Sequence, residues 1–79
     1  MPFDFDGSRL LWMQYETRDI RKINIYDFEV KAKFTPLDFS KRDGLISHVK
    51  FLGEKIFYVK NTRDIVKYDI KSKSSKIIG

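Results

Sequence analysis

The chain repeats a short run of residues, and this repeat limits the folds that it can form. ETRDI at residues 16–20 returns as NTRDI at residues 61–65, forty-five positions later. At the same spacing, residues 11–13 (LWM) align with residues 56–58 (IFY). Matches that keep one order at nearly constant spacing predict two copies of one supersecondary unit.

The match continues on both sides of these segments. Residues 26–28 (YDF) align with residues 68–70 (YDI), now forty-two positions apart. Upstream, residues 3–5 (FDF) correspond to residues 49–51 (VKF) if the first turn is one residue longer than the turn at Gly53. Each copy then reads as a strand, a glycine turn, a second strand, a Thr-Arg-Asp turn, a strand ending in Tyr-Asp, a polar turn and a short last strand.

The apolar pattern is that of β-strands rather than helices. Apolar residues rarely recur at helical spacing, whereas β-branched and aromatic residues alternate with polar ones. Strands are predicted at residues 10–15, 20–28, 30–35, 46–52, 55–60, 65–71 and 76–78. Because proline cannot donate to a strand ladder, the third of these strands is expected to end at Pro36 or to lie at a sheet edge, with a polar loop over residues 37–45. The run KIFYVK at 55–60 is typical of a strand that is buried on both faces.

These strands predict an all-β fold of two four-stranded antiparallel meanders. We expect one small domain over residues 1–79, with a first repeat at 1–37 and a second repeat at 46–79. The segments NIYDFEVKAKF and VKYDIKSKSSKII, with a period of about 40–45 residues, resemble the blades of WD40-like β-propellers. Tyr-Asp stands where that family often has Trp-Asp, and Ser47-His48 is the nearest counterpart of its Gly-His pair. A different small all-β fold with a duplicated hairpin is the alternative.

The resemblance implies a chain that something else completes. Two blades leave two apolar faces uncovered, so copies assemble, or the chain is a piece of a longer protein, or another subunit covers the faces. Three or four copies would give six or eight blades, within the usual range of about 4–8. The implied function is a non-enzymatic protein–protein interaction or scaffold module that acts through self-association or a partner chain.

No catalytic, cofactor or metal site is predicted. The chain has no cysteine and a single histidine, His48, which cannot form a zinc site without several carboxylates. Asp4 and Asp6 could bind a cation as a pair, but a solvated terminal strand is the more frequent arrangement. The four glycines stand singly, so no glycine-rich phosphate loop exists. We therefore expect that the protein is not an enzyme.

Charge divides the chain and supports an alternative function. Residues 1–40 carry six Lys/Arg and seven Asp/Glu, and residues 41–79 carry ten Lys/Arg and four Asp/Glu. Aromatic residues alternate with lysines in the basic half, an arrangement that suits base stacking and phosphate contacts. The alternative is therefore a basic β domain that binds RNA or DNA through the lysines of residues 41–79: Lys50, Lys55, Lys60, Lys67 and Lys71. The opposite charges of the halves would also favour contact between copies.

The two Thr-Arg-Asp turns supply the candidate protein-binding residues, which are Arg18, Asp19, Arg63 and Asp64. Asp and Thr also hydrogen-bond turn backbone, so these residues could serve the turns alone. Trp12 is expected in the core rather than at an interface. The acidic beginning of the chain and the lack of an apolar run of about 18–20 residues favour a soluble, intracellular protein without a membrane segment.

Overall fold

The computed structural model describes residues 3–79 and confirms the all-β fold with two four-stranded antiparallel meanders. The strands of the first sheet, in spatial and chain order, are β1 (Phe3–Phe5), β2 (Arg9–Tyr15), β3 (Arg21–Asp27) and β4 (Ala32–Phe39). The strands of the second sheet are β5 (Ile46–Leu52), β6 (Lys55–Lys60), β7 (Asp64–Asp69) and β8 (Ser74–Ile77). A single 3₁₀ turn (Lys41–Asp43) lies in the linker between them.

The Tyr-Asp landmarks end the third strand of each sheet by the same mechanism. The Oδ1 atom of Asp27 accepts backbone N–H bonds from Glu29 and Val30, at 2.9 and 3.3 Å. The Oδ1 atom of Asp69 accepts the corresponding bonds from the residues two and three positions on, Lys71 and Ser72, at 3.0 and 3.2 Å. Such side-chain bonds favour a turn over further strand. The residue pair therefore fixes where the chain turns into the fourth strand.

Of the two expectations for Pro36, an end of the strand was wrong and an edge strand is what the structure has. β4 continues to Phe39, so residues 37–39 belong to the strand and not to the predicted loop. The pairing with β3 shifts register between Ile25, which faces Phe34, and Ile23, which faces Leu37. This irregularity takes up Pro36, and β4 is an edge strand, where a missing N–H donor is tolerated.

The first hairpin of each sheet shows which residues of the two sheets are equivalent. Both hairpins have the same register, since Phe5 faces Leu10 across the first turn and Phe51 faces Ile56 across the second. Each turn contains a glycine with a left-handed backbone, Gly7 at φ 102° and Gly53 at φ 61°. In both sheets the residue after this glycine accepts a backbone N–H from the residue after the third strand: Ser8 from Phe28 at 2.9 Å, and Glu54 from Ile70 at 3.0 Å. Equivalent positions are therefore forty-six apart in the first two strands and forty-two apart in the third.

This alignment corrects two expectations from the sequence. Residues 10–12, and not residues 11–13, are equivalent to residues 56–58, because Leu10 faces Phe5 as Ile56 faces Phe51. The Thr-Arg-Asp segments are not equivalent either. Residues 17–19 form the tip of a loop closed by a backbone bond from Glu16 N–H to Ile20 O at 2.9 Å, whereas Asp64 is the first residue of β7.

Each sheet has two faces, which we name from the equivalent positions. Cross-strand partners share a face and neighbouring residues in a strand alternate between faces. The front faces carry Phe3, Phe5, Leu10, Trp12 and Tyr26 with Phe28 in the first sheet, and Phe51, Ile56, Tyr58, Val66 and Tyr68 with Ile70 in the second. The back faces carry Arg9, Leu11, Met13, Ile23 and Ile25 in the first sheet, and Lys50, Leu52, Lys55, Phe57, Val59, Ile65, Lys67 and Lys76 in the second.

The back face of the first sheet packs on the front face of the second. Buried residues of both faces form one hydrophobic cluster. The ring of Phe39, at the end of β4, meets the ring of Tyr58 edge-on with centroids 5.2 Å apart. We call this contact the joint. It is head-to-tail, because the joined faces are not the equivalent faces of the two sheets.

The expectation that the strand at 55–60 is buried on both faces was also wrong. Its front residues Ile56 and Tyr58 are buried in the joint, whereas Phe57 and Val59 on its back are only half-buried. The composition of this strand suits burial on both faces, but residues 3–79 cover only its front face.

Candidate functional site: the joint and the two open faces

Arg9 connects the two sheets at one end of the joint. Its Nη2 atom donates to the carbonyl oxygen of Gly53 at 2.9 Å, and its guanidinium lies 3.4 Å from the Glu54 carboxylate. The guanidinium carbon is 4.7 Å from the centre of the Phe51 ring, within cation–π distance. Asp6 holds the other side of the guanidinium at 2.9 Å. A charge on the inward face is therefore paired by groups from both sheets.

Two aspartates of the first sheet support this contact. Asp4 Oδ2 accepts the backbone N–H of Phe51 at 2.8 Å, which satisfies a donor on the edge strand β5. Burial raises the pKa of Asp6, but hydrogen bonds from the backbone of Ser8 and Arg9 and the charge of Arg9 outweigh it, so the pKa lies below its usual value. Both carboxylates thus serve the joint.

The linker is held from both sheets. Arg21 is buried and donates to the carbonyl oxygens of Gly44 and Ser40, the latter at 2.8 Å. From the second sheet, Asn61 accepts the N–H of Leu45 at 3.1 Å and donates its own N–H to the Leu45 carbonyl at 2.8 Å. The chain between the sheets therefore has a defined path rather than a free one.

Asp43 closes the 3₁₀ turn of this linker. Its Oδ2 atom accepts the backbone N–H of Ser40 at 2.7 Å and the Ser40 hydroxyl at 3.3 Å. The backbone bond is the main reason that the pKa of Asp43 lies below its usual value. Ionised Asp43 thus stabilises the turn that sets the distance between the sheets.

The front face of the first sheet is open and aromatic. The Phe5 side chain is 54% exposed and Phe28 is 51% exposed, although their rings pack edge-on with centroids 6.1 Å apart. Tyr26 meets Phe28 at 4.9 Å. Trp12 is half-buried on this face, next to the exposed Phe3, so the expectation of a core tryptophan was wrong. An aromatic surface of this extent is typical of an interaction site.

The back face of the second sheet is the other open surface, and it combines apolar residues with lysines. Ile65 is 43% exposed and Leu52 is 70% exposed. Four lysines share the face: Lys50, Lys55, Lys67 and Lys76. Lys55 pairs with Asp69 at 3.0 Å, and hydrogen bonds from the Ser72 backbone and then from Lys55 hold the pKa of Asp69 below its usual value.

The residues predicted from the Thr-Arg-Asp turns lie at the linker end of the sheets. Arg18 and Asp19 are exposed and line a shallow depression beside Gly44 and Leu45. Arg63 is exposed at the equivalent end of the second sheet, where its Nε atom is 3.5 Å from Asp64. Their role in binding stays a prediction.

The residues predicted for nucleic-acid binding are only partly brought together. Three of the five, Lys50, Lys55 and Lys67, lie on the open back face, whereas Lys60 lies at the end of β6 and Lys71 lies in a turn. Tyr58 and Tyr68 are buried in the joint, and burial raises the pKa of the Tyr58 hydroxyl. These two rings cannot stack on bases, which leaves Phe57 as the ring among the lysines.

The residues weighed for catalysis or metal binding have other partners. His48 is an exposed residue of a bulge in β5 with φ 55°, and its Nδ1 atom lies 3.0 Å from the Ser47 hydroxyl. Asp4 and Asp6 bond within the joint. Among residues 3–79, no three His, Cys, Asp or Glu side chains are grouped as metal ligands require, and no helix is long and apolar enough to cross a bilayer.

Sequence reasoning missed Arg9 at the joint and Arg21 and Asn61 at the linker, and it considered Asp4 only as half of a cation pair. One signal was present: Arg9 alternates with Leu11 and Met13, which places a charge on an otherwise apolar face. The partners of Arg21 and Asn61 are linker backbone, which no side-chain pattern encodes. Comparison with known proteins gave no match among family models, curated proteins or solved structures.

Proposed function

We propose that this protein is a non-enzymatic interaction module, a pair of WD40-like blades whose two open faces are covered by another protein surface. The single observation that carries the proposal is the head-to-tail joint, in which the back of one sheet fills the front of the next. Repeats that stack in this way have an uncovered face at each end of the stack, and those faces bind the next unit.

The composition of the uncovered faces supports this proposal. Phe5, Trp12 and Phe28 expose aromatic surface at one end of the stack, and Phe57 and Ile65 expose apolar surface at the other. Burial of apolar area stabilises by about 25 cal/mol per Å², so covering both faces would add to the stability of a chain whose own core is small.

The test measures whether the two open faces are exposed to solvent in the free chain and become buried when the chain associates. Light scattering gives the mass in solution, and binding of a fluorescent apolar dye reports uncovered faces. We expect either a mass above one chain with little dye bound, or a monomer that binds dye strongly. A monomer that binds no dye and tolerates lysine at Trp12 without loss of stability would contradict the proposal.

Binding of RNA or DNA is the second candidate, favoured by the four lysines gathered around Phe57 on one face. Phosphate contacts would make affinity fall steeply with salt. A fluorescent single-stranded oligonucleotide titrated at low and moderate salt tests this candidate. Absence of binding at low salt would remove it.

A further inference from the structure

Building on the proposed function, we infer that the occupant of the open front face is the open back face of a second copy of this chain. The copies then associate head-to-tail, repeating between chains the joint that the structure contains within one chain. The interface is heterologous, since it uses two different surfaces of each copy.

The front faces of the two sheets carry matching chemistry at equivalent positions. An aromatic or aliphatic residue of one sheet stands where the other sheet has a similar one: Phe5 with Phe51, Leu10 with Ile56, Trp12 with Tyr58, Tyr26 with Tyr68 and Phe28 with Ile70. In the second sheet this surface receives the back of the first. Asn24 is a polar exception, because it stands where the second sheet has Val66 and is buried with hydrogen bonds to Gln14 and Thr35. At the other five positions the first sheet presents nearly the same receiving surface.

The back faces match in the same way. Leu11, Met13 and Ile23 fill the joint, and their equivalents are Phe57, Val59 and Ile65 on the open back face. All six are apolar. Ile25 is also buried in the joint, and its equivalent is Lys67. The open back face is therefore an apolar counterpart of the surface that fills the joint, with a lysine at one of its four matching positions.

The charges of the open faces select among the modes of pairing. Two back faces brought together would place four lysines against four lysines, which is repulsive. Lysines against the aromatic front face instead gain cation–π attraction. The back of one copy on the front of another is therefore the favoured pairing.

The joint predicts one specific contact between the copies. Within the chain, Arg9 lies over Phe51. The position equivalent to Arg9 is Lys55, and the position equivalent to Phe51 is Phe5. Lys55 of one copy is therefore placed over Phe5 of the next. Lys55→Met or Phe5→Leu should weaken association about two- to five-fold, and the double variant should weaken it no further than the stronger single variant.

Two variants, each damaging one open face, test the pairing. Phe28→Lys places a charge on the front face, and Ile65→Asp places one on the back face, while the joint within the chain stays intact. Each should lower the affinity between copies on the order of a hundredfold, because a charge is buried without a partner. Val30→Lys and Leu45→Asp, at exposed apolar residues outside both faces, are the matched controls.

The measurements are the masses of the wild type, of each variant alone and of an equimolar mixture of the two face variants, by light scattering across a range of concentrations. We expect the wild type and both controls to reach three or four times 9.4 kDa. Each face variant alone should be a folded monomer. The mixture should form a dimer and nothing larger, because it retains one intact front and one intact back.

Different results overturn the inference in distinguishable ways. If Ile65→Asp alone still associates, the fronts pair with each other; if Phe28→Lys alone does, the backs pair. A wild type that stays monomeric, yet binds apolar dye, removes the second copy as occupant and leaves the proposed function intact with a different partner. A wild type that stays monomeric and binds no dye overturns both proposals.

Discussion

The front faces of the two sheets are a matched pair with different surroundings. Tyr58 in the second sheet is 6% exposed, whereas Trp12 at the equivalent position is half-buried and faces solvent. Phe51 is half-buried beneath Arg9, whereas Phe5 is 54% exposed. The residue types at these two positions hardly differ between the faces, although Asn24 stands in the first sheet where the second has Val66. Burial is therefore set by the sheet that stands next to a face, and not by the composition of the face itself.

This comparison shows what a duplicated sheet can and cannot do alone. The back face of the first sheet and the front face of the second form the joint. The other two faces have a similar apolar composition, but no sheet of this chain packs against them. The predictions on Ile23 and Ile65 and on Arg9 and Lys55 change equivalent positions in the two sheets, so the difference between their effects measures the contribution of the joint; those on Gly44 and Asp69 test the linker and the coupling of the sheets.

The largest difference is expected between Ile23→Ala and Ile65→Ala. Ile23 is fully buried at 0% exposed, whereas Ile65, its equivalent, is 43% exposed. Removing three buried carbons from the joint should lower the free energy of unfolding by about 2–5 kcal/mol, and the change at Ile65 by about 1 kcal/mol or less. Urea unfolding at low protein concentration measures both. Equal losses would show that the back of the second sheet is covered as well.

A smaller difference in stability is expected when a glycine of the linker, Gly44, and a glycine of a hairpin, Gly53, are each replaced by alanine. Gly44 has φ 77°, and a Cβ there would clash with the side-chain amide of Asn61, whereas nothing lies within 4 Å of a Cβ at Gly53. Gly44→Ala should lower stability by about 3 kcal/mol and Gly53→Ala by about 1 kcal/mol, since both incur left-handed strain but only the first also clashes.

Thermal unfolding followed by circular dichroism compares the two glycine variants. Replacing Asn61 by Gly in the Gly44→Ala background removes the clash and should restore part of the loss, relative to Asn61→Gly alone. If the restored part were zero, the contact between the linker and the second sheet would not be the cause.

The sequence predicts the type and number of sheets better than the alignment between them. Strand positions and the Tyr-Asp turns follow from alternation and from Asp27 and Asp69, which act locally. The two Thr-Arg-Asp segments predicted the wrong alignment of the sheets, because they lie at loops of different lengths, residues 16–20 and residues 61–63. β4 continues past Pro36 because its pairing with β3 shifts register near that residue. This shift depends on a second strand, so the local sequence around Pro36 does not predict it.

The candidate site follows the same rule. The composition of KIFYVK predicts two covered faces, and residues 3–79 cover one of them. The proposed partner surface would cover the other. The pairing of Arg9 across the joint could not be predicted, because it depends on which faces meet. Alternation fixes the face of a side chain and leaves its partner open.

Arg9 and its equivalent Lys55 give the next comparison. Arg9→Met removes bonds to both sheets and the charge above Phe51 but keeps the apolar stem, so we expect a loss of about 1–2 kcal/mol. Lys55→Met removes one partly exposed ion pair with Asp69 and should cost the monomer at most about 0.5–1 kcal/mol. Denaturant midpoints measured for the monomer distinguish the two, and a larger loss at Lys55 would reverse the assignment of the joint.

The smallest effect concerns pH and asks whether the two sheets unfold together. The folded-state pKa of Asp69, in the second sheet, lies below the usual value of an aspartate, chiefly because its carboxylate accepts the Ser72 backbone N–H. Its contribution is therefore complete above that value and is lost as pH falls through the folded pKa. Asp69→Asn should lower stability at neutral pH, and the difference from wild type should narrow in acid.

Trp12, the single tryptophan, reports the first sheet by fluorescence. Because the joint couples the sheets, Asp69→Asn should shift the unfolding transition followed by fluorescence as much as the transition followed by far-ultraviolet circular dichroism. If the fluorescence transition did not shift, the first sheet would unfold independently of the second. The joint would then contribute little to the stability of either sheet.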